Sequence, residues 1–499
     1  MNLAAICADH PADSVALISR GRTTTYGELR DQAARLGGGL VAQGVEPGDR
    51  VAIVAANNWY FVVSYLAVLG IGAVAVPLNP ASPGPEIETQ LNAVSAKAVI
   101  VGPTGRRTFA DISRSSISCV DVVVRSATES DESGADVDID TLLEAEPADV
   151  VDRDADDLAV LMFTSGTAGF PKAAMLSHGN LLSNLDQVQA NPARSQTPDD
   201  VSLGVLPFFH IFGLNVVVGL TLQTGGSILA IERFDPESAL DAIAKHGVTM
   251  IAGAPAMWAG WAHLPGAPAD VFATVRVATS GASKLDETVR TTMLDRFGVE
   301  LSEGYGLTEA SPVVTSSSGI PAPVGSIGAP LPGIRMRLID ADGQDVLVGD
   351  PGEIRIQGPN VFQGYWEDAE ATAAALTDDG WLCTGDLAVV DDEGFLFLVD
   401  RMKDLIIVSG FNVYPGEVEQ VLMEHPAVEH AAVVGVQHPH SGEAVKAFVV
   451  VRDGISVEED DIIAFSEQRL ARYKCPQKVN FVDEIPVGLG GKVLKRVLR

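Results

Sequence analysis

Ten consecutive residues, Phe163-Thr164-Ser165-Gly166-Thr167-Ala168-Gly169-Phe170-Pro171-Lys172, gather three hydroxyls, two glycines and one lysine directly after an apolar stretch. These groups suit phosphate oxygens. Glycine lets backbone N–H groups converge on an anion without a Cβ in the way, hydroxyls add donors, and lysine adds a mobile positive charge. The run is not a Walker A loop, because Ala173 follows Lys172 where Ser or Thr is required and the glycine spacing differs. Its plain alternative is a polar turn between strands. Gly304-Tyr305-Gly306-Leu307-Thr308-Glu309 offers an aromatic face for a base, a hydroxyl for phosphate and a carboxylate for a metal. By itself it also reads as a glycine turn before a helix. Thr384-Gly385-Asp386 can set a carboxylate against a ribose diol, and Asp400-Arg401-Met402-Lys403-Asp404 brings a cation to a candidate domain boundary.

Two patterns mislead. Gly70-Ile71-Gly72-Ala73-Val74-Ala75 has G-x-G-x-x-A spacing, but it leaves a helix and enters a strand, the reverse of what dinucleotide binding needs. His438-Pro439-His440 resembles a metal pair without a Cys or carboxylate cluster at ligand spacing, so a solvated loop is the better reading.

The elements that must hold these groups alternate between strand and helix. Arg50–Ala55 and Ala73–Leu78 read as strands around a Trp59–Leu69 helix, a βαβ unit of a largely parallel sheet, and Val99–Val101 adds another strand. The acidic, weakly patterned stretch Ser126–Asp157 reads as surface connections. A second α/β block follows, with strands at Leu158–Phe163, Ser202–Leu206, Thr249–Gly253, Arg276–Thr279 and Val299–Ser302 and helices at Asn180–Val188 and Pro236–His246. From Gly325 to Leu398 short runs broken by Pro-Gly and Asp-Gly turns predict a β-rich region. Beyond Lys403 a small α+β pattern returns, with a Pro415–Met423 helix and strands at Ala431–Val436 and Val445–Val451.

With 499 residues the chain exceeds one compact core. Asp plus Glu number 66 against 34 Lys plus Arg, a net charge of −32, which disfavours nucleic acid and anionic membranes as partners. An anionic ligand must therefore be met by local donors and a metal ion. Val51–Pro77 and Phe208–Ile231 are apolar enough to suggest membrane spans, yet Asn57, Asn58, Asn215, Gln223 and Gly225-Gly226 interrupt them, and core elements are expected instead. Scattered Cys7, Cys119, Cys383 and Cys475 and an N-terminus without a secretory pattern point to a reduced, cytoplasmic setting.

Taken together and in this order, the motifs resemble the adenylate-forming superfamily of acyl-CoA synthetases, nonribosomal-peptide adenylation domains and luciferases. The similar segments are Phe163–Lys172, Gly281-Ala282-Ser283, Gly304–Glu309, Gly380–Asp386, Asp400–Glu419 and Gly491-Lys492. Leu206-Pro207-Phe208-Phe209-His210, Ser409–Pro415 and Tyr473-Lys474-Cys475-Pro476 are most like bacterial fatty acyl-CoA ligases and the related 4-coumarate-CoA ligases. The resemblance implies an α/β fold: a large N-terminal domain over residues 1–402, divided at 157/158 and 324/325 into two α/β subdomains and a β-rich one, and a small mobile α+β domain over 403–499 with its hinge at Lys403.

It also implies two reactions at one site, adenylation of a carboxylate by ATP with Mg²⁺ and then thioester formation with CoA. By similarity Thr164, Ser165, Gly166, Thr167, Gly169 and Lys172 hold the β- and γ-phosphates, Thr308 contacts the α-phosphate, and Glu309 takes Mg²⁺. Tyr305 with Gly281 and Ala282 lines the adenine pocket, Gly306 belongs to the same nucleotide site, and Asp386 with Arg401 binds the ribose. Lys492, after the Gly488–Gly491 hinge, is assigned to adenylation, although alone it reads as part of a basic tail with Lys495 and Arg496. Gly410 belongs beside the CoA tunnel, where a turn glycine is the competing reading. Ala168 and Ala173 depart from the family pattern without removing a group given a role.

Phe209, His210, Trp258, Trp261 and Gly304 are expected to line an apolar acyl pocket. A medium- or long-chain fatty acid is favoured, with an aromatic or polycyclic carboxylate as runner-up. An acyl-AMP ligase loading a carrier protein, an amino-acid adenylation domain and a non-enzymatic nucleotide-binding relative are less well supported. The partners implied are the acid, ATP and CoA. Homodimerisation and acetylation of Lys492 are further expectations.

Overall fold

The computed structural model describes residues 1–125, 136–164, 172–401, 404–408, 411–438, 442–488 and 493–498. Among them, a seven-stranded sheet runs in the order Val137–Asp138, Val122–Arg125, Ala98–Val101, Arg50–Val54, Val74–Leu78, Leu158–Thr164, Lys172–Ser177. All neighbours are parallel except the last pair, an antiparallel hairpin. The near-continuous apolar runs follow from burial on both faces. Alternate residues go to different cores: Val51, Ile53 and Ala75 to the central cluster, and Ala52, Val54, Val74 and Val76 to a second one.

A nine-stranded sheet carries Met250–Gly253 at its centre, flanked by Val201–Gly204 on one side and by Val277–Ser280 and then Leu301–Gly306 on the other. The first three of these run parallel, so their C-terminal ends open on the same edge. Helices Tyr26–Ala42, Trp59–Gly70 and His178–Gln189 share one continuous apolar core with both sheets. The first begins on a capping box made by Thr25 and Glu28, and the third on one made by Ser177 and Asn180. The expected β-rich region is a four-stranded antiparallel sheet of Arg335–Ile339, Gly352–Gln357, Leu382–Val390 and Leu396–Arg401.

The C-terminal region builds a five-stranded sheet around Val428–His438 and Gly442–Val451, with a core of its own from Ile406, Val418, Leu422, Val433, Ala447 and Ile462. Its Pro415–Met423 helix meets the larger body where the Gly416 N–H donates to Asp400 Oδ2 at 2.8 Å. The division expected at 402/403, with its hinge Lys403, falls outside the described residues.

Three segments differ from the sequence reading. Residues 137–142 are not merely surface connections: Val137–Asp138 extends the seven-stranded sheet, and the following helix buries Ile139 and Leu142. Leu301–Gly306 is strand to its last residue, because Gly304 and Gly306 pair with Ser316 and Val313, and the neighbouring Thr315 and Pro312 carbonyls leave no room for a side chain. A Cβ on Gly304 would stand 2.6 Å from the Thr315 carbonyl oxygen. Phe212–Gly219 is a π-helix, a form that often marks functional sites, and Leu220–Thr224 continues it as an α-helix. No helix among the described residues is long and apolar enough to cross a membrane. All four cysteines are unpaired thiols.

Candidate active site

The hairpin of the seven-stranded sheet sets Thr164 opposite Lys172 across the mouth of the hydroxyl-rich loop, and Thr164 Oγ1 donates to the Lys172 carbonyl at 3.4 Å. Ser165, Gly166, Thr167 and Gly169 lie outside the described residues. Lys172 extends toward the β-rich region, where its Nζ stands 3.4 Å from Asp368 Oδ2 and 5.4 Å from the centre of the Tyr365 ring. The Tyr365 hydroxyl donates to Glu309 Oε1 at 2.7 Å. Burial, reinforced by the Glu309 charge, pushes the Tyr365 hydroxyl well above the ordinary phenol pKa, so it remains a donor at neutral pH. Lysine, tyrosine and carboxylate thus form one line from the loop mouth to the Thr308–Ala310 turn.

That turn follows the Leu301–Gly306 strand, whose Tyr305 is 7% exposed and donates from its hydroxyl to Asp386 Oδ2 at 2.7 Å. The residues assigned to adenine and ribose therefore meet, although they come from different sheets. Asp386 lies opposite Arg401 in the antiparallel Leu382–Val390 and Leu396–Arg401 pair, which sets the two backbones side by side. On the neighbouring strand, Gly281 follows Ser280 and packs against Phe212, whose ring carbon would be 3.0 Å from any added Cβ. Ala282 takes φ +72°, a left-handed conformation unusual for a residue with a side chain and a form of strain that gathers at functional sites.

Phe209 and His210 stand at the start of the segment leading into the π-helix. His210 Nδ1 accepts from the Phe212 N–H at 3.3 Å, which leaves Nε2 as the protonated nitrogen of the neutral ring. Desolvation by the surrounding protein lowers the His210 pKa below the ordinary imidazole value, although the residue as a whole is exposed.

Trp258 and Trp261 are placed elsewhere. Both are fully buried, with ring centres 5.3 Å apart, and Trp261 also contacts Phe234 and Phe272. Trp258 Nε1 donates to the Thr279 carbonyl, and a Cβ on Gly253 would meet that nitrogen at 2.9 Å. Since Ala252 and Gly253 point to opposite faces, Trp258 covers the face turned away from Val216 and Val217 of the π-helix. Gly304 lies in the strand leading to Tyr305, where its missing side chain is accounted for by Thr315. Lys403, Gly410 and Lys492 lie outside the described residues.

Sequence reasoning missed Tyr365 and Asp368. They belong to a β-rich stretch without a motif of its own, and only the fold carries them to Lys172. It also gave no role to Lys474, whose Nζ holds both carboxylate oxygens of Glu417, at 2.6 and 2.7 Å.

The donors suit Mg²⁺ in one respect. The Glu309 carboxylate and the nearby Thr hydroxyls are hard oxygen ligands, and no cluster of three His, Cys, Asp or Glu occurs among the described residues. A single protein carboxylate completed by substrate phosphates is the usual magnesium arrangement.

A family model described as AMP-binding enzyme matches residues 3–366, and one described as AMP-binding enzyme C-terminal domain matches residues 417–492. A Mycobacterium tuberculosis methyl-dioxo-octahydro-indenyl-propanoyl:CoA ligase is 37% identical over 500 residues, covering 98% of this chain and 96% of that protein. A Bacillus subtilis long-chain-fatty-acid–CoA ligase is 34% identical over 517 residues, covering 97% and 91%. The ATP-bound structure of MatB from Rhodopseudomonas palustris superposes with a TM-score of 0.90 at 34% identity, covering 100% of this chain and 98% of that one.

Proposed function

The chain belongs to the AMP-binding enzyme family and is an AMP-forming acid–thiol ligase, and we propose that it joins a carboxylic acid with an apolar body to CoA. The observation that best supports this reading is the pair of contacts built from motif residues and Tyr365: Tyr305 to Asp386, and Lys172 through Tyr365 to Glu309.

A carboxylate is a poor acyl donor because its oxygen is a bad leaving group. In the first half-reaction a carboxylate oxygen attacks the α-phosphorus of ATP. The bond to the β-phosphate oxygen breaks, and pyrophosphate leaves with the electron pair. Negative charge grows on the phosphate oxygens, so donors fixed beforehand stabilise the transition state more than the ground state. Thr164, Lys172 and the loop between them hold the departing pyrophosphate. Thr308 donates to the α-phosphate, and Lys492 bridges nucleophile and phosphate. Tyr305 packs against adenine, and Asp386 with Arg401 orients the ribose. Glu309, positioned by Tyr365, would hold Mg²⁺, which supplies charge neutralisation to the phosphates. In the second half-reaction the CoA sulfur attacks the acyl carbon, the thiol gives up its proton, and AMP departs.

Residues 403–499 act as the lid that serves the two steps in turn, hinged at Lys403, with Gly410 beside the thiol's path. Between the two substrate classes weighed from the sequence, the relatives support both a fatty acid and a polycyclic acid. What the two share is an apolar body attached to the reacting carboxylate. The deciding experiment measures AMP release over a panel of carboxylic acids with and without CoA. CoA-dependent release with apolar acids is expected. Release that ignores CoA would favour the adenylate-only reading, and no release with any acid would overturn the ligase reading.

A further inference from the structure

Arg194 lies in the connection between the His178–Gln189 helix and the Val201–Gly204 strand and is only 7% exposed. Its guanidinium makes no hydrogen bond or ion pair with any described residue, and burial alone perturbs it, whereas buried charges in proteins are ordinarily paired. The carboxylates closest in sequence are Asp199, which is exposed, and Asp200, which is already held by Arg276, Thr249 and the Thr197 N–H. Burial lowers the Arg194 pKa to about 10, which leaves the group charged at neutral pH.

Arg194 borders a cavity of about 20 Å³, room for a single water, walled by Gln196, Val216, Val217, Ala252 and Thr279. Gln196 Oε1 stands 3.3 Å from Thr221 Oγ1, whose one proton also has the Ser202 hydroxyl at 2.8 Å, and the Gln196 side-chain N–H groups have no partner among the described residues. Two donor groups and no acidic side chain therefore face a small space otherwise lined largely by hydrocarbon.

The cavity and the adenylation site lie under one helix on one face of one sheet. The Phe212–Gly219 helix touches Gly281 through Phe212 and borders the cavity through Val216 and Val217. Thr279 and Gly281, two positions apart, point to the same face. From Val277 at the cavity to Gly281 is about 13 Å at the strand rise of roughly 3.3 Å per residue. The cavity itself holds only one water, so an acid whose carboxylate reacts beside His210 and Gly281 brings its far end to Arg194 and Gln196 only when Val216 and Val217 part from the sheet to admit its body.

We propose that Arg194 is a specificity residue for an acid that carries a second acceptor oxygen, a carboxylate or a ketone, at the end remote from the reacting carboxylate. This rests on the ligase reading above and narrows it: the apolar body ends in a polar tip. A carboxylate and a ketone present the same acceptor chemistry to a guanidinium fork, and the substrates below separate them.

The test compares kcat/KM for CoA-dependent AMP release with matched acids of equal length: a plain aliphatic acid, its ω-carboxylate and its ω-1 ketone. The wild-type enzyme is expected to favour one of the tipped acids by about a hundredfold, because a site built to pair a polar group rejects the analogue lacking it. In Arg194→Met the ratio should fall to about one, and in Arg194→Lys, which keeps the charge without the fork, it should lie between. A wild-type preference for the plain acid would overturn the proposal, as would an equal loss on all three acids in Arg194→Met. The wild-type comparison decides even if the variants do not fold. Release with plain acids alone would sink this proposal and spare the ligase reading, whereas no release with any acid would remove both.

Discussion

Tyr365→Phe tests whether Glu309 must be held in place. The substitution deletes one oxygen, which donates at 2.7 Å to a carboxylate, and keeps the ring that faces Lys172 at 5.4 Å. A hydrogen bond to a charged acceptor contributes about 1.5–3 kcal/mol. Glu309 is only partly buried, so water replaces some of the loss and the low end, about 1.5 kcal/mol, applies. If that bond fixes Glu309 for the nucleotide's metal, the same energy appears in the barrier, a fall of roughly tenfold in the rate of adenylation. The assay is ATP–pyrophosphate exchange at a series of magnesium concentrations. The variant should need more magnesium, while its thermal stability changes little. The profile should also be flat from pH 7 to 9 in both proteins, because the raised Tyr365 pKa keeps its hydroxyl protonated there. Unchanged exchange with an unchanged magnesium requirement would refute the argument. So would a loss that appears only as pH rises through that window, since it would make the ionised phenol the working group.

Three further outcomes follow from the same structure. Lys492→Ala should nearly abolish adenylation while sparing thioester formation from supplied acyl-AMP, and equal loss of both half-reactions would count against its role. Lys403→Pro, by fixing φ at the proposed hinge, should leave pyrophosphate exchange intact and depress CoA turnover; normal turnover would remove the hinge from that position. Burial alone would raise the Asp200 carboxyl pKa, but Arg276, Thr249 and the Thr197 N–H together hold it at about 2. Its stabilisation is therefore complete above the unfolded value near 4 and is lost as pH falls through about 2, so Arg276→Met should unfold at a higher pH in an acid titration followed by circular dichroism. Coincident acid profiles would show that the pair contributes nothing to acid resistance.

The sequence made the chemistry of the site more legible than its walls, for a physical reason. Tyr305 and Asp386 are separated by 81 positions, yet residue type and order singled both out for the nucleotide, and the fold brings them into contact. Alternation gave most strands within a few residues, because a parallel sheet buried on both faces demands uninterrupted apolar runs. The same uninterrupted runs hide which face a neighbouring helix covers. Trp258 read as pocket lining because it is aromatic and follows a core strand, but the side it packs on is decided by Gly253, whose missing side chain admits the indole on the face turned from the π-helix.

Gly304 shows the converse. Its place in a nucleotide motif suggested contact with substrate, while the strand pairing opposite supplies a sufficient cause in the Thr315 carbonyl. Arg194 was invisible for a third reason: Asn191-Pro192-Ala193-Arg194-Ser195-Gln196 has the composition of a solvated turn, in which a lone arginine carries no signal. Only the fold buries Arg194 and Gln196 at the foot of the Val201–Gly204 strand and leaves the arginine without an ion pair among the described residues. A type-and-spacing reading therefore finds the groups proposed for the constant part of a substrate and misses the one proposed for the variable part. The nucleotide is shared across a family and demands recurring residues, whereas the far end of the acid is met by whatever the local packing of one chain places there.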